Sequence, residues 1–137
     1  MPQPPTPSFL TASLLVATGG ALGSWLRFTV STLWGAAAPA RTAAFPWPTL
    51  TVNVAGSMAM GLLAGWLTRL DTPGETIRLL LAVGVLGGFT TFSALSLETV
   101  SLIQRGQGGI ALAYLAGSLA AGIGGLWLGL IAMRPAT

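Results

Sequence analysis

Four apolar stretches, each long enough to cross a lipid bilayer, occupy most of this 137-residue chain. A membrane-spanning helix needs about 20 mostly apolar residues, and such stretches run over residues 9–33, 49–68, 77–104 and 110–133. Hydrophobic residues make up 53% of the chain and charged residues only 7%, against roughly 25% charged residues in soluble domains. We therefore predict an all-α membrane protein in which residues 9–134 form a single four-helix transmembrane domain behind a flexible tail of residues 1–8.

The composition excludes several kinds of function. The chain has no cysteine and no histidine, so it offers neither disulfides nor the commonest ligands of transition metals. All six basic residues are arginines, and they are spread along the chain rather than clustered as in nucleic-acid-binding proteins. No stretch resembles a phosphate-binding loop or a nucleophile with its base. We expect neither an enzyme nor a nucleic-acid-binding protein.

The third apolar stretch contains an unusual segment, GGFTTFS, at residues 87–93. Glycine and threonine are poor helix formers, because glycine loses backbone entropy and threonine loses side-chain freedom. A fully helical stretch from 77 to 104 would also be about 42 Å long at roughly 1.5 Å per residue, which exceeds the roughly 30 Å hydrocarbon core, and either a break or a strong tilt would absorb the excess. We predict that the third helix is broken here. Unpaired backbone groups within a membrane are tolerated only inside protein or along a wet cavity, so the break is a candidate functional site.

Two lines of polar residues run along the predicted helices. Asn53 and Ser57 lie four residues apart in the second helix, and Tyr114 and Ser118 do so in the fourth, so each pair shares one helix face. These side chains are neutral and can donate hydrogen bonds, whereas a cation or proton path ordinarily contains a carboxylate within the membrane. The pattern favours an anion path. Packing against a neighbouring helix explains Asn53 equally well.

The arginines give the chain no preferred orientation in the membrane. Each side of a four-span protein carries three of them, so the positive-inside rule makes no choice. These two sets are Arg69, Arg78 and Arg134 on one side, and Arg27, Arg41 and Arg105 on the other. The chain can therefore insert in both orientations, and glycine-rich faces on the first, second and fourth helices call for close partners. We predict a homodimer, and an antiparallel dual-topology arrangement of its two copies becomes possible.

Three motifs resemble those of a known family. GGALGSWLRF in the first span, PTLTVNVAGSMAMG in the second and GVLGGFTTFSALSLE in the third are similar to the signatures of the CrcB/Fluc family of fluoride channels. The resemblance extends over all four spans in order and in length. It implies a fluoride-selective channel of the bacterial inner membrane that exports fluoride passively and so reduces its toxicity in the cytoplasm. It also implies an antiparallel dimer with two pores and a structural sodium ion at its centre.

The resemblance assigns roles to individual residues. It implies that Asn53 hydrogen-bonds fluoride and that Phe92 turns the positively polarised edge of its ring toward the ion. The other implied pore residues are Thr49, Ser57, Ser93, Leu95, Tyr114 and Ser118. Sodium would be held by the backbone carbonyls of Gly87 and Thr90, since unwound backbone supplies the oxygen ligands that a hard cation prefers. Arg27 would lie at the aqueous vestibule, where it either attracts anions or anchors the helix at the membrane interface.

The chain departs from the family at Leu95, where members usually carry a second phenylalanine. Leucine offers no polarised ring edge, so we expect an effect on conductance or selectivity rather than on the fold. Gly122 likewise shortens the polar line of the fourth span. Two other functions stay open at this point. One is a proton-coupled small multidrug exporter, which would need Glu98 as its membrane-embedded carboxylate, and the other is an assembly subunit that transports nothing.

Overall fold

The computed structural model describes residues 7–38, 45–70 and 74–134. Four helices in these ranges are long and apolar enough to cross a membrane, and we call them spans 1 to 4: Phe9–Ala37, Trp47–Leu67, Glu75–Gln104 and Gly108–Ala132. The described ranges contain no β-strand. The predicted all-α protein with four membrane-spanning helices is confirmed. Residues 1–6 of the predicted tail, and Arg41, lie outside the described residues.

Local sequence signals set the helix ends. The Ser8 hydroxyl caps span 1 by accepting a hydrogen bond from the Thr11 amide at 3.2 Å, which satisfies one of the free N–H groups of the first turn. Pro48 lies in the first turn of span 2, where its missing N–H removes no helical bond. After span 3, Gly106 adopts a positive φ of 72°, a conformation that glycine reaches without strain. All four spans begin and end within a few residues of their predicted bounds.

Span 3 departs from one regular helix. It consists of a helical turn at Glu75–Ile77, a wider π-helical segment at Arg78–Leu86, a turn at Gly87–Phe89 and a helix at Phe92–Gln104. Between the last two, Thr90 and Thr91 have extended backbone, with φ and ψ of -79° and 157° at Thr90 and of -150° and 118° at Thr91. The backbone therefore leaves the helical region inside the GGFTTFS segment.

Glycines bring the spans together in two tight pairs. Span 1 lies against the first half of span 3, where a Cβ atom added to Gly88 would be 2.6 Å from the Gly20 carbonyl oxygen. Span 2 lies against span 4, where a Cβ atom added to Gly129 would be 2.5 Å from the Met58 carbonyl oxygen. Small residues permit this close backbone approach. The glycine-rich faces are therefore used largely within the chain, and a dimer needs support of another kind.

The extended residues let span 3 change its neighbour. Before them, span 3 packs on span 1, and after them it packs on span 4. Leu95 and Leu102 from the second half of span 3 form a buried cluster with Ala111 and Tyr114 of span 4. As a result, the break lies beside spans 2 and 4, where the two predicted polar lines run.

Candidate functional site

A groove between spans 2, 3 and 4 collects most of the predicted pore residues. It has a volume of about 350 Å³. The predicted site residues that line it are Asn53, Ser57, Thr90, Phe92, Leu95 and Ser118. Thr91 and Gly122 also line the groove, and the rest of its wall is apolar. No charged side chain lines it among the described residues, so the polar groups of the groove are neutral.

Asn53 is bound to the backbone of the break. Its Nδ2 atom donates to the Thr91 carbonyl at 3.0 Å, and its Oδ1 atom accepts from the Thr91 amide at 2.8 Å. This reciprocal pair resembles the pairing of two extended strands, in which one residue exchanges both backbone hydrogen bonds with its neighbour. Because an asparagine amide carries two N–H donors, one N–H of Asn53 remains beside the one that Thr91 accepts.

Ser118 presents a buried hydroxyl without a partner. The residue is only 6% exposed, and its Oγ atom has no hydrogen-bond partner within the described part of the chain. A buried polar atom left unsatisfied costs about 1–3 kcal/mol, so such atoms are rare and call for an explanation. Since Ser118 lines the groove, a hydrogen-bond acceptor passing through the groove would supply the missing partner.

Phe92 and Leu95 differ in their exposure. Phe92 is 76% exposed and lines the groove at the surface of the molecule. Leu95 is 4% exposed and contributes both to the groove and to the buried cluster around Tyr114. The exposed ring of Phe92 makes the groove incomplete in the isolated chain, because one of its walls faces outward.

A second cavity, which we call the vestibule, lies on the other side of the break. It measures about 370 Å³ and is lined mainly by spans 1, 2 and 3. Arg27 and Glu98 both line it, together with Thr49 and Thr91. Thr91 is the residue that the linings of the groove and the vestibule share. The vestibule therefore contains opposite charges, whereas no charged side chain of the described ranges lines the groove.

Two hydroxyls hold the Glu98 carboxylate. Thr49 donates to its Oε1 atom at 2.8 Å, and Tyr114 donates to its Oε2 atom at 2.6 Å. Tyr114 is fully buried and Thr49 is 8% exposed. Hydrogen bonds to an ionised group are stronger than those between neutral groups, so this arrangement fixes the carboxylate and links spans 2, 3 and 4. The two hydroxyls, predicted along an anion path, are thus directed at Glu98.

The structure separates other predicted residues from the groove. Ser93 lines neither cavity, and its hydroxyl lies 3.2 Å from the Thr91 hydroxyl. Gly87 is exposed and stands apart from both cavities, on the turn before the break. Within the described ranges, no three His, Cys, Asp or Glu side chains come together as a metal site would require.

The structure gives Thr91 and Glu98 contacts that the sequence did not predict. Thr91 joins both cavities and is bound by Asn53, although the sequence assigned it no role beyond the break. Glu98 accepts two hydroxyl donors from different spans, although the sequence indicated it only as the membrane-embedded carboxylate that a proton-coupled exporter would need. A charged residue inside an apolar span is the signal for Glu98, since such residues are rare and usually functional.

The chain is similar to one protein family and to several bacterial proteins that share a name. The family described as CrcB-like protein, Camphor Resistance (CrcB), matches residues 14–130. A protein of Novosphingobium aromaticivorans named fluoride-specific ion channel FluC is 56% identical over 125 residues, which cover 91% of this chain and 98% of the relative. A relative of the same name from Chelativorans sp. is 52% identical, and the match covers 85% of this chain and 91% of the relative. Another from Rhodospirillum centenum is 46% identical, and the match covers 90% of this chain and 95% of the relative.

Proposed function

Since the chain belongs to the CrcB family, we propose that it is a fluoride-selective channel that lets fluoride leave the cell passively and so reduces fluoride toxicity in the cytoplasm. It is a multi-pass membrane protein and not an enzyme. The bacterial relatives named fluoride-specific ion channels support both the ion and the bacterial plasma membrane. Fluoride that enters as neutral HF dissociates inside the cell, so a passive path down its gradient is sufficient.

The observation that carries the proposal is the buried hydroxyl of Ser118, which has no partner among the described residues, in a groove that no charged side chain of those residues lines. A buried hydroxyl donor suits a small anion that accepts strong hydrogen bonds. The second N–H of Asn53 and the ring edge of Phe92 add positive polarisation along the same groove. Together they favour an anion without placing a fixed charge in the membrane.

The vestibule is the proposed aqueous end of the path. Arg27 raises the local concentration of anions there by electrostatic attraction. Thr49 and Tyr114 donate two hydrogen bonds to the Glu98 carboxylate, and these donor groups offset part of its negative charge at the mouth. Thr91 lies between vestibule and groove. Its hydroxyl is oriented by a hydrogen bond with the Ser93 hydroxyl. The proposed path thus leads from Arg27 past Thr91 into the groove.

A second copy of the chain is the proposed cover of the groove. Polar groups facing lipid would be costly because hydrocarbon supplies no hydrogen-bond partners, and Phe92 is 76% exposed in the single chain. A second copy inserted in the opposite orientation agrees with the even division of the six arginines. Each chain then contributes one groove, and the dimer has two pores.

A sodium ion at the dimer centre, held by Gly87 and Thr90, fits the donor set of the break. Within the described part of the chain, no group donates a hydrogen bond to either backbone carbonyl. Free carbonyl oxygens without nearby thiolate or imidazole ligands suit a hard cation. Sodium bound there would supply positive charge at the interface and hold two broken helices together.

Fluoride release from liposomes tests the function. Purified protein in liposomes loaded with fluoride is expected to release it at a rate far above that of empty liposomes, as read with a fluoride electrode. Phe92→Ile removes the ring edge and Asn53→Leu removes the amide, so both are expected to reduce release sharply. Release at the rate of empty liposomes would refute the function, and unchanged rates in both variants would mean that the polar line only packs the helices.

Labelling in intact cells tests the dual topology. The chain has no cysteine, so Gly108→Cys, which has open space for a side chain and keeps all six arginines, provides a single site for a membrane-impermeant thiol reagent. Insertion in both orientations predicts that about half of the molecules react from outside the cell. Complete labelling, or none, would contradict the antiparallel arrangement.

A further inference from the structure

Two side chains divert the amides that would otherwise bind the carbonyls of Gly87 and Thr90. In a continuous α-helix, each amide donates to the carbonyl four residues earlier, so Thr91 would bind Gly87 and Ala94 would bind Thr90. Instead, the Thr91 amide donates to Asn53 Oδ1 at 2.8 Å, and the Ala94 amide donates to Thr91 Oγ1 at 3.2 Å. Each carbonyl loses its helical donor to a different side chain.

The hydrogen bond from Thr91 to Asn53 also sets the direction of the Thr90 carbonyl. The carbonyl of Thr90 and the amide of Thr91 belong to one planar trans peptide unit, in which C=O and N–H point in opposite directions. Because the Thr91 N–H points at Asn53, the Thr90 oxygen points away from Asn53. One side-chain contact therefore frees the Gly87 oxygen and directs the Thr90 oxygen away from the second span.

We propose that Asn53 is a positioning residue for a cation site formed by the Gly87 and Thr90 carbonyls, with Thr91 as its second support. This inference rests on the proposed function only for the location of the cation. Through Asn53, the anion groove and the cation site share one structural element: Oδ1 holds the break, while the remaining N–H is available to the groove.

Sodium affinity should distinguish the role of Asn53 from that of Ser118. Both residues line the groove, but only Asn53 contacts the backbone of the break. Without the Asn53 acceptor, the Thr91 amide can return to the Gly87 carbonyl, and sodium must then compete with a regained hydrogen bond. A hydrogen bond of ordinary strength corresponds to about a tenfold change in an equilibrium constant. Loss of Asn53 should therefore weaken sodium binding about tenfold, whereas loss of the Ser118 hydroxyl should leave it unchanged.

Thermal unfolding of the purified protein at increasing sodium concentration measures this without relying on ion flux. Sodium replaces N-methylglucamine at constant ionic strength, and binding to the folded protein raises its unfolding temperature. Asn53→Leu, which keeps the side-chain size, should need about tenfold more sodium for half of the stabilisation. Ser118→Ala should lose fluoride flux and keep the sodium response.

Thr91 gives an independent pair of variants in case Asn53→Leu does not fold. Thr91→Val keeps the shape of the side chain but removes the hydroxyl that binds the Ala94 amide, and Thr91→Ser restores that hydroxyl. The valine variant should need more sodium and the serine variant should not. Thr18→Val is the matched control, since the Thr18 hydroxyl binds only the backbone of its own helix.

The outcomes distinguish this inference from the proposed function. An equal sodium response in the parent protein, in Asn53→Leu and in Thr91→Val overturns the inference alone. No sodium response in the parent protein overturns the cation site and the inference with it, while fluoride release from liposomes can still establish the channel. A response that is weakened equally by Ser118→Ala would show a general loss of structure and would also overturn the positioning role of Asn53.

Discussion

Replacing Ser118 by alanine is predicted to move fluoride flux and protein stability in opposite directions. The hydroxyl is buried in the groove and has no hydrogen-bond partner in the described part of the chain. In the folded protein without an ion, this hydroxyl has lost its hydrogen bonds to water and gained none from the described residues, which lowers the free energy of unfolding. During conduction, the same hydroxyl is expected to donate to fluoride.

The magnitudes follow from these two states. A hydrogen bond to a charged group contributes about 1.5–3 kcal/mol, so its loss should reduce fluoride flux by about tenfold to a hundredfold. An unsatisfied buried hydroxyl costs about 1–3 kcal/mol, and alanine is a slightly better helix former than serine. The free energy of unfolding of Ser118→Ala should thus rise by about 1 kcal/mol or more.

Two measurements on one preparation check this prediction. Fluoride efflux from liposomes gives the flux, and denaturant unfolding in detergent gives the stability. Ser96→Ala is the matched control, because the exposed Ser96 hydroxyl binds only the Phe92 carbonyl of its own helix, at 3.0 Å. Flux and stability falling together would refute the reasoning, since that result would mean that Ser118 has a structural partner.

Three further substitutions test the packing around the site. Gly129→Ala places a Cβ atom 2.5 Å from a backbone oxygen and should lower the free energy of unfolding by about 1–3 kcal/mol. Gly117→Ala has open space and should leave it unchanged. Equal unfolding midpoints for the two variants would contradict the tight pair of spans 2 and 4. Tyr114→Phe removes one of the two donors to Glu98 and should lower the free energy of unfolding by about 1.5–3 kcal/mol, and no change in unfolding would mean that this hydrogen bond is dispensable. Leu95→Phe enlarges a residue that is 4% exposed and should cost about 1–3 kcal/mol by overpacking, so an unchanged unfolding midpoint would show that the cluster has room for a ring.

The membrane-spanning helices and much of the groove could be predicted from the sequence. Long apolar stretches fix the number of spans because only helices of that length satisfy their backbone within a bilayer. The spacing of four residues placed Asn53 and Ser57 on one face, and both line the groove together with Ser118. These features depend on local periodicity, which a single sequence displays directly.

Contacts between distant residues could not be predicted in the same way. The double hydrogen bond between Asn53 and Thr91 joins positions 38 residues apart, and no periodic pattern indicates it. Tyr114 and Thr49 were expected along an anion path, but their hydroxyls meet at Glu98, because the resumed half of span 3 brings that carboxylate between spans 2 and 4. Such meetings are set by how the helices pack.

The glycine-rich faces show a second limit of the sequence. A strip of small residues indicates that a helix approaches something closely, but not whether the neighbour belongs to the same chain. Gly88 and Gly129 contact the backbone of other spans of the same chain. The support for a second copy comes instead from the open groove and the exposed ring of Phe92.

The most direct test of the central claim is the reversal potential of the reconstituted protein in a planar bilayer with fluoride on one side and chloride on the other. Fluoride-selective conduction predicts a steady current whose reversal potential follows the fluoride gradient. The current should shrink in Ser118→Ala and in Phe92→Ile. A reversal potential set by chloride or by cations, or no current from a correctly folded preparation, would contradict the claim that this groove conducts fluoride.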